Sequence, residues 1–431
     1  MGEGNVMLIN CEREFELLKK IGFVRTSGSE EELKAANILL EEISSIGCTG
    51  YLEEFKAPTS KITKASLKVV EPYEKEYEIT PYNCSIGTPE GGITTDFVYI
   101  EDGLDANLVD LKGKFVLINV RPNPKLYKKL IKAGIAGYIT MCGTAMDEED
   151  KTDITVARMR EKNTQYGKVT ALNMRTKDCF HMVKNKASKV KVEVITEDIE
   201  LTSHNVVVTL EGSKYPEEII SFGAHYDSVP FSTGVYDNGA GSVIIMELLR
   251  HFKENPPIRT VKFVWYGSEE VGLLGSQAYL KAHEEELKNH LLMINVDVGG
   301  SILGREEALV TAEKSLVDYI DHMAKIKGFP LHVEQDIYSS DSTAFADAGI
   351  PSVAFCRFAP SGGAFIHSRN DIIDFLSAEA LEKTTIITKE FSESIVNSVV
   401  FPIERKIPDN MRKELDKYFN KEDKKEDKKE D

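Results

Sequence analysis

Seven residues of the types that bind cations or move protons punctuate the second half of this 431-residue chain: His225, Asp227, Asp237, Glu269, Glu270, Asp297 and His367. In IISFGAHYDSVPFSTGVYD, residues 219–237, an apolar run delivers His225 and Asp227 on alternate positions at a strand end. A glycine-containing loop then returns Asp237 beside them. Alone, His-x-Asp is as consistent with a plain hydrogen-bonded pair as with a metal site, because nine histidines and seventy acidic residues make such pairs common. Glu269 and Glu270 could simply complement a helix dipole. Their neighbours, Gly267, Val271, Gly272, Leu273 and Leu274, do not form a charged face, and adjacent positions point apart, so one carboxylate can ligate while the other faces a water. Asp297 lies in the apolar run LLMINVDVGG with no basic neighbour, a costly place unless a cation or a good set of donors receives it. Histidine and carboxylate without thiolate suit a zinc-type catalytic centre, and a free carboxylate beside one can carry a proton.

The elements that must hold these residues follow from periodicity. NVVVTLEG, EIISFGAHYD, TVKFVWYG, HLLMINVDV, EALVTA and PSVAFCR are predicted strands, with helices in GAGSVIIMELLRHFKE, GSQAYLKAHEEELKNH, KSLVDYIDHMAKIKG and STAFADAG between them. This alternation predicts an α/β fold, a mixed, mostly parallel sheet with helices on both faces. The candidate residues fall at or just after the carboxyl ends of strands, where open α/β sheets place their sites. Upstream, CEREFELLKKIGF and SEEELKAANILLEEISSIG predict two helices, the second opened by a capping box at Ser29 and Glu32 and stopped at Gly47. From Ser60 to Thr196 the period drops to two, in ASLKVVE, KEYEIT, TDFVYIE, KFVLINV, AGYITM and VKVEVIT, with one short helix in PKLYKKLIKAG. This predicts a β-rich unit of its own.

With these residues in place, the pattern resembles the family M28 metallopeptidases, whose best-known members are di-zinc aminopeptidases. The interval from Asp297 to His367 is too short for the lid and dimerisation domain that the related family M20 inserts there. The resemblance implies the zinc exopeptidase fold and two divalent metal ions, zinc with cobalt or manganese as alternatives. Asp237 would bridge them, His225 and Asp297 would complete one, and Glu270 and His367 the other. It further implies that Asp227 orients the His225 imidazole and that Glu269 is the general base. LVDLKGKFVLINV and LIKAGIAGYITMCG resemble an inserted protease-associated domain, which would restrict substrate size or help hold partner chains. The expected boundaries are 1–58 for N-terminal helices of the peptidase domain, 59–200 for the insertion, 201–405 for the catalytic domain and 406–431 for a charged tail. Some relatives carry an oxyanion-stabilising Tyr just before the last His; that position is Ile366 here. Tyr338 is the nearby candidate for the role, and Asp341 a supporting residue.

Composition sets the remaining bounds. At 431 residues, 42% hydrophobic and 29% charged, two globular domains are expected. A formal charge of −17 argues against nucleic acid and anionic membranes as partners. The six scattered cysteines form no C-x-x-C pair and predict free, mostly buried thiols. With no signal-like stretch visible, the expectation is a cytoplasmic protein acting on short peptides, with a homo-oligomer left open. The last eleven residues repeat Lys, Glu and Asp without an apolar residue and are expected to be solvated. The competing readings are a carboxypeptidase or dipeptidase of the same family, for which Arg305, Arg357 and Arg369 are the nearest arginines, a glutaminyl cyclase, disfavoured by the presence of His225, and a non-catalytic, receptor-like scaffold.

Overall fold

Residues 9–148, 152–159, 161–419 and 421 are described in a computed structural model of the chain. The chain forms two units, one running to Lys56 and resuming at Thr202, the other spanning Ala57–Leu201.

The apolar runs of the first unit become one sheet. Its strands lie in the order Leu331–Glu334, Arg305–Thr311, Ser352–Phe358, His290–Val296, Tyr215–His225, Arg259–Tyr266, and last the C-terminal part of Lys189–Leu210. The four strands from Ser352–Phe358 to Arg259–Tyr266 are mutually parallel, with Asn295 opposite Ala354 and Phe222 opposite both Ile294 and Phe263. Antiparallel neighbours flank them on both sides. The sheet is therefore mixed and mostly parallel. Every residue of Arg259–Tyr266 is buried, as expected of a strand covered on both faces. Phe222 stacks on Phe263 at 4.6 Å, and the fully buried Trp265 donates its indole N–H to the Ser242 carbonyl at 2.9 Å.

Helix Glu30–Ser45 buries Ala35, Ala36, Leu39 and Ile43. Two local outcomes differ from the sequence expectation. The helix Ala378–Val396 was not foreseen. Its Thr384-Thr385-Ile386-Ile387-Thr388 run has poor helix propensity, but a cap at Ser377 and a buried face of Leu381, Ile387, Phe391 and Ile395 decide the conformation. Finally, Asp409–Tyr418 is a helix with Met411 and Leu415 buried, so that part of the expected charged tail, 406–431, is packed. The charged repeat beyond Lys421 lies outside the described residues.

The second unit has strands Ile93–Tyr99, Phe115–Leu117, Gly137–Cys142 and Thr170–Arg175 in parallel succession. Alternate residues feed two apolar clusters, Phe115 and Leu117 into one, Val116 and Ile118 into the other. Helix Pro124–Lys132 covers one cluster through Tyr127 and Leu130. An unforeseen helix, Thr176–Lys184, covers the other through Cys179 and Met182. All six cysteines are free thiols, but only Cys179 and Cys356 are buried, fewer than expected. No helix among the described residues is long and apolar enough to cross a membrane.

Candidate metal centre

Each of the four parallel strands hands one piece of chemistry to the same end of the sheet. Tyr215–His225 ends on His225, Asp297 follows His290–Val296, Glu269 and Glu270 lie in the turn after Arg259–Tyr266, and His367 lies in the loop after Ser352–Phe358. A parallel sheet aligns those ends by construction, and the loops close the remaining gaps.

The side chains meet in two groups of three that share one carboxylate. His225, Asp237 and Asp297 form one, and Asp237, Glu270 and His367 the other, with the donor atoms of each group within 4.8 Å of one another. Asp237 divides its oxygens between them: Oδ1 lies 3.1 Å from His225 Nε2 and Oδ2 lies 3.2 Å from His367 Nε2. His225 Nε2 is 3.6 Å from Asp297 Oδ1, and His367 Nε2 is 3.0 Å from Glu270 Oε2. Glu269 belongs to neither group, and its Oε2 lies 3.9 Å from His225 Nε2. Asp227, fully buried, places Oδ1 3.5 Å from His225 Nδ1. It also accepts from the backbone N–H of Glu269 at 2.9 Å, that of Glu270 at 3.2 Å, and the Ser27 hydroxyl at 3.0 Å.

The electrostatics are those of an acidic cluster short of positive charge. Burial, reinforced by neighbouring carboxylates, holds Glu269 well above the usual range and pushes Glu270 up to about 7. Burial also raises Asp297 and lifts Asp341 to about 7, with Asp297 and Asp227 adding to the latter. Burial alone would lower His367, yet its hydrogen bonds to Asp237 and Glu270 pull it up to about 11. Asp237 falls below its ordinary value because the two histidines outweigh its burial. Glu270 Oε1 and Asp297 Oδ1 are buried with no hydrogen-bond donor. Crowded carboxylates with unreceived oxygens, beside two imidazoles and without thiolate, are the donor chemistry that divalent zinc-type ions satisfy, so the residues fit such a centre.

A layer of polar side chains to which the sequence assigns no role holds these groups. Asn238, fully buried, donates to the Val296 carbonyl at 2.8 Å and accepts from Val298 N–H at 3.1 Å, gripping the backbone on both sides of Asp297. Asp371, four residues beyond His367, accepts from the N–H of Tyr236 at 2.8 Å and of Asp237 at 3.2 Å. Arg25 directs its buried guanidinium at the carbonyls of Tyr226, Thr233 and Gly234, and burial lowers it to about 10. The only local signal for Asn238 was its adjacency to Asp237; Arg25 and Asp371 act across more than 130 residues and had none. Tyr338 packs edge-on against Phe358 at 5.4 Å. Its phenol is raised well above its ordinary value by burial and by charges that include Asp297, Asp237 and Glu269. Ile366 is about half exposed.

Comparison with known proteins agrees with this architecture. Residues 205–392 match the model of Peptidase family M28. Over 95% of its length the chain is 24% identical to Aminopeptidase YwaD of Bacillus subtilis (strain 168), covering 90% of that protein. Over 89% it is 24% identical to Carboxypeptidase Q of Homo sapiens, covering 84% of it. Among solved structures, the fold is similar to BSAP, a zinc aminopeptidase from Bacillus subtilis, with TM-score 0.76, 21% identity, and coverage of 93% of this chain and 98% of that one. These matches identify residues 205–392 as a peptidase family M28 domain.

Proposed function

We propose that the protein is a metal-dependent exopeptidase, an aminopeptidase that removes N-terminal residues from short peptides. The observation that carries this reading is the pair of donor groups joined through Asp237, with Glu269 beside them and outside both. Two divalent ions, zinc by the donor chemistry, would be held by His225, Asp237 and Asp297 and by Asp237, Glu270 and His367. When bound, such a pair lowers the pKa of a water and polarises a scissile carbonyl, a role for which aminopeptidases are a standing example.

The chain's own residues supply the rest. Asp227 faces His225 Nδ1 and fixes which imidazole nitrogen faces the centre. Glu269 takes the proton of the attacking water and returns it to the leaving amine. Tyr338 is the candidate donor to the oxyanion, supported by the field its phenol shares with Asp297, Asp237 and Glu269. The unit Ala57–Leu201 is read as a protease-associated-type insertion.

A carboxypeptidase must receive a substrate carboxylate. Arg357 is 5% exposed and committed to Glu306, to the Ser301 carbonyl and to the Ile302 carbonyl, so it is not free for the task. The test is a panel of short peptides with free or blocked termini, assayed in zinc-replete buffer. Cleavage that demands a free α-amine is expected. Cleavage of N-blocked peptides with a free C-terminus would move the assignment to a carboxypeptidase, and no cleavage with no bound metal would leave a scaffold.

A further inference from the structure

The capping box at the start of helix Glu30–Ser45 is only half a cap. Ser29 Oγ accepts from Glu32 N–H at 3.0 Å, as a cap should. The reciprocal bond from Glu32 to the Ser29 N–H is absent; that N–H goes to the Thr26 carbonyl. Glu32 is 1% exposed and spends its carboxylate elsewhere. Oε2 accepts from Gly28 N–H at 2.7 Å. Oε1 accepts from the Ser203 hydroxyl at 2.9 Å and from Ser268 twice, N–H at 3.0 Å and hydroxyl at 3.3 Å.

Ser268 immediately precedes Glu269 and has φ +55°, a strained value for a residue with a side chain. Asp227 receives the next two N–H groups, those of Glu269 and Glu270. Two buried carboxylates from distant segments therefore take three consecutive amides of the turn that carries both glutamates. The fit is close: a Cβ on Gly267 would meet Glu32 Oε1 at 3.0 Å and Ser203 Oγ at 2.5 Å.

We propose that Glu32 is a positioning residue for the reaction, holding the Gly267–Glu270 turn so that Glu269 keeps its place outside the two donor groups while Glu270 stays within one. The proposal rests on the reading of Glu269 as general base. It assigns to the N-terminal helix a part in catalysis beyond covering the sheet.

Glu32→Gln is the informative variant. Its amide keeps one oxygen but sets an NH2 against a donor, either Gly28 N–H or the Ser268 pair. Ser29→Ala is the control, since it removes the cap of the same helix and touches nothing in the turn. With a free-amine dipeptide substrate, Glu32→Gln is expected to lower kcat ~10- to 100-fold at nearly unchanged KM, the scale of a misplaced catalytic group, with metal content retained. Ser29→Ala should lower only the melting temperature. Hydrogen exchange gives a second readout that needs no activity: amides 268–270 should exchange faster in Glu32→Gln and not in Ser29→Ala. If Glu32→Gln does not fold, Ser203→Ala, which removes one donor from the same oxygen, is expected to change kcat and exchange in the same direction. Wild-type kcat or wild-type exchange in the folded variant would overturn the proposal. Should the wild type cleave no peptide, the functional reading fails, and the exchange data still decide whether Glu32 holds the turn.

Discussion

At the scale of the residue, the centre sets apart groups of one chemical kind. Asp237, Glu270, Asp297 and Glu269 are all carboxylates, and their surroundings separate them. Three share donor groups with a histidine, and the fourth stands 3.9 Å from His225 without joining one. Glu269→Gln is therefore expected to reduce kcat by about 10²- to 10⁴-fold, the range for loss of a general base, while the protein retains its metal. Substantial turnover in that variant would remove the base assignment. Asp237→Ala, which takes one oxygen from each group, should leave no metal bound after dialysis by elemental analysis. Residue type and strand-end position mark His225, Asp227, Glu269, Glu270 and Asp297 in the sequence, the loop after the first of those strands marks Asp237, and the family resemblance adds His367. Arg25, Asp371 and the diverted Glu32 carry no such mark. The bonds that tie them to the site reach Gly234, Asp237 and Ser268, respectively 209, 134 and 236 residues away, and such bonds leave no local pattern.

At the scale of the element, strands place the centre and loop-to-loop bonds set its spacing. Apolar strands are legible by periodicity, so the mixed sheet could be anticipated. The helix Ala378–Val396 could not, because its β-branched stretch opposes the conformation that burial imposes. Asn238 links two loops by binding on both sides of Asp297, so Asn238→Ala leaves the Val296 carbonyl and Val298 N–H without partners. Each orphaned group costs about 1–3 kcal/mol, and the urea midpoint of metal-free protein should fall accordingly. Helix Cys11–Ile21 docks through another carboxyl. Glu14 Oε1 accepts from the Thr385 hydroxyl at 2.8 Å, and Oε2 is buried without a donor. Burial holds its carboxyl well above the ordinary value of 4.5. In the unfolded chain the same group ionises near pH 4.5, so its contribution to stability is whole below that pH and is lost as pH rises toward the folded-state value. Glu14→Gln, which keeps the oxygen for Thr385 and cannot ionise, should match the wild type in melting temperature at pH 4 and exceed it increasingly from pH 5 to 8. A constant difference across that range would mean that Glu14 is not held protonated.

At the scale of the molecule, the two units draw on separate resources. The apolar clusters of Ala57–Leu201 take all their members from within that unit, and no candidate metal group lies there among the described residues. Two clusters on opposite faces of a parallel sheet, each closed by its own helix, are enough to predict that a fragment of residues 57–201 folds alone. Near-UV dichroism and a single cooperative urea transition would check this; a fragment that binds hydrophobic dye and melts without cooperativity would refute it. The first unit concentrates crowded carboxylates at one end of its sheet, so it should depend on bound cations. A ligand at a hundred times its Kd contributes about 2.7 kcal/mol to the folded state. Chelation of the full-length protein should accordingly lower its melting temperature, with recovery on adding back zinc, whereas the isolated fragment should melt identically with and without chelator. A fragment as sensitive to chelation as the whole chain would place the cation dependence outside the cluster around Asp237.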